Sequence, residues 1–104
     1  MFRRRRFAEL VARQLAVFSS DEQDGLLGEM REAKTVYDRA GREEAEERYG
    51  DYVDVVDAAT EALAGMRRRY AETLDDAAVA AYEAEFNRAV RKRWPALGLE
   101  IADR

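Results

Sequence analysis

Apolar residues recur along this chain at steps of three and four for most of its length. Phe7, Leu10, Val11, Leu15 and Phe18 share one face of a helix over about 4–18. Leu26, Met30, Ala33, Tyr37 and Ala40 do the same over about 20–40. A third stretch, about 42–73, places Ala45, Tyr49, Tyr52, Val56, Ala59, Leu63, Met66 and Tyr70 on one heptad-like seam without a slip. A fourth, about 75–94, sets Val79, Tyr82, Phe86, Ala89 or Val90, and Trp94 inward.

Punctuation between these stretches agrees with the period. Ser19 with Glu22, or Ser20 with Gln23, has the spacing of a capping box, in which each side chain satisfies a backbone N–H that the helix start leaves free. Gly41 fits the position just past a helix end, where a left-handed backbone favours glycine. Gly50 and Gly65 each cost a helix about 1 kcal/mol relative to Ala, but the seam keeps its register across both. Thr73, Leu74, Asp75 and Asp76 read as the next start, with carboxylates at the positive end of the helix dipole. Arg91, Lys92 and Arg93 then sit where cations favour a helix end, and Pro95 prevents continuation.

The fold predicted is an all-α antiparallel bundle of about four helices, forming one domain over 1–104. Residues 1–6 are a basic N-terminal segment and 95–104 a short C-terminal tail. The turn at Gly41 would set Met30 beside Tyr52 or Val56, and Leu26 beside Val56 or Ala59. The turn at 73–75 would set Met66 beside Tyr82 and Leu63 beside Phe86. The third helix is the spine, about 48 Å long at 1.5 Å per residue. A compact chain of this size has a radius of gyration near 13 Å. Either the spine bends at Gly50 or Gly65, or a second subunit covers its ends; the unbroken seam favours a dimer.

Composition narrows the chemistry. The 104 residues include no Cys and no His, which removes disulfides, thiolate or imidazole metal ligands, and every nucleophilic relay that needs them. Net charge is −4, but unevenly spread. Residues 1–14 carry five cations and one anion, residues 15–62 five cations and fourteen anions, and the remainder is nearly balanced. Sixteen of the 18 cations are Arg and 19 residues are Ala, a usage that fits a GC-rich bacterial genome. No apolar run follows the first arginines as a signal peptide requires, and none approaches a membrane span, so a cytoplasmic location is expected.

The acidic run Glu43, Glu44, Glu46, Glu47, Asp51, Asp54 and Asp57 falls outside the seam and reads as a solvated face. Without His it does not fit the carboxylate–histidine set of a ferritin-like bundle. No catalytic residue, cofactor or metal site is expected, and Ser19, Ser20, Thr35, Thr60 and Thr73 have no imidazole base. Tyr37, Tyr49 and Tyr52 should converge near Gly41. Arg67, Arg68 and Arg69 span most of a helical turn and read as surface charge.

Two segments are candidates for a partner. Arg3, Arg4, Arg5 and Arg6, with Phe7, place cations at a helix start, where they oppose the dipole. They suit the acidic stretch 43–57 of another subunit or, alternatively, an anionic surface of membrane or nucleic acid. Leu97, Leu99 and Ile101 alternate at period two in the tail, the pattern of an extended peptide, set against a tail folded back on the bundle. The expected function is a non-enzymatic assembly protein acting as a homodimer, with room for another protein partner. The anionic-surface module is the alternative, and a ferritin-like metal bundle the remote one.

Overall fold

The computed structural model describes residues 6–20 and 25–104. Five helices follow in order: α1 (Ala8–Ser19), α2 (Leu26–Arg39), α3 (Ala45–Ala71), α4 (Asp76–Arg93) and α5 (Pro95–Ala102). The described residues contain no strand, and the fold is all-α as the periodicity requires. Four helices answer the four predicted stretches with shortened ends; the fifth replaces the tail.

The core is built from the predicted faces. Val11 and Leu15 of α1, Val56, Ala59 and Leu63 of α3, and Tyr82, Phe86 and Val90 of α4 are buried together, and α5 adds Leu97 and Ile101. Phe7, Leu10, Phe18, Met66 and Trp94 pack around them, half-buried. α1 runs alongside α4 in the same direction: the Phe7 ring meets Tyr82 at 5.6 Å and the Phe18 ring meets Trp94 at 5.5 Å. On α2 the buried side chain is Leu27, one position off the predicted seam.

α3 runs unbroken through Gly50 and Gly65 for 27 residues, about 40 Å. Its first half pairs with α2 in the expected register, since the Tyr37 and Tyr49 rings lie 5.3 Å apart. Against α4 the register is displaced by about one turn. The Tyr82 ring meets that of Tyr70 at 4.9 Å, where Met66 was expected. The connection of 72–75 is longer than a tight turn, so α4 starts further along and meets later residues of α3.

Three of the expected end signals work differently. Ser19 and Ser20 donate their hydroxyls back to Ala16 O and Val17 O, closing α1. α2 then starts at Gly25 with no side-chain cap. Glu22 and Gln23 lie outside the described residues. Gly41 does not take up a left-handed backbone; Ala40 ends α2 by turning to an extended conformation. Among the described residues the left-handed one is Phe7, with φ of 70°, a conformation that costs a non-glycine residue about 1–2 kcal/mol. Phe7 O accepts from Val11 N at 3.0 Å, opening α1 while the ring stays on Tyr82. Asp75 behaves as predicted, accepting from Ala78 N at 2.9 Å.

The C-terminal segment is the main correction. Pro95 ends α4, yet it also occupies the first turn of α5, where its fixed φ suits a helix and its missing N–H costs nothing. In a helix, Leu97 and Ile101 are four apart and share a face; both are fully buried, while Leu99 is 80% exposed. The period-two alternation therefore has no strand behind it. Gly98 lets α5 lie directly on α4: a Cβ there would fall 2.7 Å from Arg91 Cα.

Arg67 is the second correction. Read as surface charge, it is buried, while Arg68 and Arg69 are exposed. It donates to Asn87 Oδ1 at 2.6 Å and to Ile101 O at 2.9 Å, tying α3, α4 and the end of α5 together. A cation against the carbonyl end of α5 also meets the negative pole of that helix. Arg104 adds an outer clasp to Asp57, Glu61 and Glu100.

Candidate functional site

The helices are not equally covered. α1, α4, α5 and the second half of α3 pack on one another, whereas α2 packs to any extent only on α3. The α2 hairpin with the first half of α3 is therefore an arm projecting from the core. The molecule measures 52 × 26 × 24 Å and its radius of gyration is 15.8 Å, above the roughly 13 Å of a compact chain this long. Residues 26–55, which span the arm, carry nine acidic and five basic groups.

Five large apolar side chains are exposed among the described residues, and Val36, Tyr49 and Val53 belong to the arm. Along one side of it runs an open groove of about 340 Å³ between α2 and α3. Ala33, Val36 and Val55 give its apolar floor; Glu29, Glu32 and Asp51 line it with carboxylates. Arg48 is the one cation lining it, and it is bound to Asp51 at 3.3 Å. The hairpin register creates this groove by setting Val36 across from Arg48 and Glu29 across from Val55. Elsewhere on the arm, Lys34 pairs with Asp38 at 2.8 Å, and that bond raises the lysine pKa.

A second groove of about 380 Å³ lies between α1 and α4 and has the opposite charge. Ala12, Leu15 and Ala89 form its apolar part, with Arg88, Lys92 and Arg93 beside it. Arg93 donates to Ser19 Oγ at 3.2 Å and lies over the Trp94 ring; Arg88 is bound to Glu85 at 3.0 Å.

The expected partner residues are dispersed. Arg3, Arg4 and Arg5 lie outside the described residues. Arg6 is exposed and stacks on Phe7 at 4.9 Å. Phe7, Leu97 and Ile101 belong to this chain's own packing, which leaves Leu99 as the exposed member of the tail set. The tyrosines near Gly41 meet only in part: Tyr37 contacts Tyr49, while Tyr52 packs toward the core. Among the described residues, no three carboxylates converge into a group able to hold a metal ion, and no helix is long and apolar enough to cross a membrane.

Sequence reading missed both grooves, because a groove depends on which faces stay uncovered. One signal was available. Val36, Val53 and Val55 are β-branched residues off the seam in stretches otherwise poor in them, and each lies on the exposed or half-buried flanks of the arm.

The architecture defines the chain as a small all-α protein of five helices, with α1, α4, α5 and the second half of α3 as its body and an acidic hairpin projecting from it. Compared with protein-family models, curated proteins and solved structures, it matches none.

Proposed function

We propose that this protein is a non-catalytic assembly module that works as a homodimer. The observation that carries this reading is the arm. It exposes Val36, Tyr49 and Val53 on flanks that no other helix of the chain covers. A two-helix hairpin has little burial of its own to hold it, since most helix stability in proteins comes from packing an apolar face. A second subunit along the arm supplies that packing, and a twofold pair is the commonest way for identical chains to do so. Light scattering on the purified chain at micromolar concentration tests it. The expected mass is twice the 11.9 kDa of one chain; a single-chain mass overturns the reading.

The alternative, a module for anionic surfaces, draws on the basic groove of α1 and α4 together with Arg3, Arg4, Arg5 and Arg6. It requires retention on phosphatidylserine vesicles or duplex DNA. On DNA, four phosphate contacts would give a salt slope of about −3.6. Retention that survives replacement of all four arginines by Gln rules out that run as the contact.

A further inference from the structure

We infer that the acidic groove of the arm is the seat for the basic N-terminal segment of a second copy, Phe2 and Arg3, Arg4, Arg5 and Arg6 entering between the partner's α2 and α3. This rests on the homodimer reading above and names the surfaces that make it. The chemistry on the two sides is complementary. The groove offers three carboxylates, Glu29, Glu32 and Asp51, around an apolar floor. All three are exposed, so the cost of desolvating them before a guanidinium arrives is small. The segment brings four consecutive guanidiniums, which suit carboxylates as bidentate partners. It also brings Phe2 for the floor, since the other flanking aromatic, Phe7, is already packed on Tyr82.

Geometry points to another copy as the occupant. The Phe7 ring meets Tyr82, and Tyr82 meets Tyr70, the penultimate residue of α3. From that end α1 runs back alongside α4 toward Trp94. The groove is at the other end of the spine: Val55 lies 15 residues before Tyr70 and Asp51 lies 19, which is about 22 and 28 Å along the helix. The five residues from Arg6 back to Phe2 extend at most about 18 Å. The run falls short of its own groove and reaches that of a neighbour. In an antiparallel pair, the basic end of each chain lies beside the acidic arm of the other. The two contacts are then equivalent, and the assembly closes at two subunits.

A charge-swap experiment tests this. One variant carries Arg3→Glu, Arg4→Glu, Arg5→Glu and Arg6→Glu; the other carries Glu29→Lys, Glu32→Lys and Asp51→Lys. Each alone meets like charge at both contacts, and light scattering should show its dimer dissociation constant raised at least tenfold. Circular dichroism should show unchanged helix content, because the altered groove positions are exposed. Mixed one to one, the variants restore opposite charge at both contacts and should recover a two-chain mass that weakens again with added salt. A wild-type dimer that persists in both variants overturns the groove assignment and leaves the homodimer standing. Dissociation of both variants without recovery on mixing also overturns the assignment. A monomeric wild type removes the assignment and the homodimer together.

Discussion

Along one helix, α3, the same seam meets two different environments. From Val56 onward it faces α4 and α5, and Val56, Ala59, Thr60, Leu63, Ala64 and Arg67 are buried. Before Val56 it has α2 on one side, and no residue of that half is fully buried. Helical period is thus a statement about which residues share a face. It does not say how many neighbours the face receives. In the core half even a guanidinium is enclosed and matched to a carbonyl; in the arm half, Val53 and Tyr49 are exposed to solvent.

Truncation should separate the two halves most sharply. Phe86 is fully buried beside Tyr82, so Phe86→Ala should cost about 3–5 kcal/mol of unfolding free energy in urea. Val53→Ala, on the arm, should change the unfolding of the single chain by less than about 0.5 kcal/mol. Comparable losses at the two sites would mean that the arm is covered as fully as the core.

The same change at two glycines should have opposite signs. At Gly98 a methyl group would fall 2.6 to 2.7 Å from Arg91 Cγ, Cβ and Cα, and the backbone contact cannot yield without moving α5. Gly98→Ala should cost about 1–3 kcal/mol and loosen α5, seen as faster amide exchange at Leu97 and Ile101. At Gly50 an added Cβ meets nothing within 4 Å. Gly50→Ala should gain about 1 kcal/mol of helix propensity, with slower exchange confined to the arm. A loss at Gly50 would show that something approaches the arm there, and no change at Gly98 would show that α5 does not press on α4.

The four long helices were legible because each carries enough periodic positions for burial to dominate its local signals. The ends were not. Asp75 caps α4 by accepting from Ala78 N, while Ser19 and Ser20, equally good caps on paper, donate back to the last turn of α1. α5 was hidden by its shortness: over eight residues, Leu97, Leu99 and Ile101 satisfy period two as readily as Leu97 and Ile101 satisfy the helix. Pro95, read as a stop, was also a start. Arg67 shows the limit of residue type as a guide. It stands four residues after Leu63, beside the seam, and it is enclosed because α4 and α5 cover that flank of the spine, which the heptad pattern alone leaves outside. The acidic nature of the arm was plain in the charge count, but its groove exists only through the hairpin register. The basic run was equally plain, although three of its four arginines lie outside the described residues.

The smallest effect expected is at the junction of α1 with the core. Tyr82 OH donates to Gln14 Oε1 at 2.9 Å, and burial raises its pKa above the ordinary 10. Tyr82→Phe removes one hydrogen bond to a half-buried partner, a loss of about 0.5–1.5 kcal/mol at neutral pH. The dependence on pH has a definite sign. Above pH 10 the unfolded chain gives up the Tyr82 proton while the folded chain keeps it, so unfolding releases a proton and stability falls as pH rises through the folded pKa. The Phe variant has no proton to lose. Its deficit relative to the wild type should therefore be constant below about pH 9 and shrink as pH passes 10, measured by urea unfolding at a series of pH values. A deficit that stays constant through pH 11 would mean that water reaches the hydroxyl and that α1 does not seal the core at Tyr82. The tight half of the molecule would then end at Phe86.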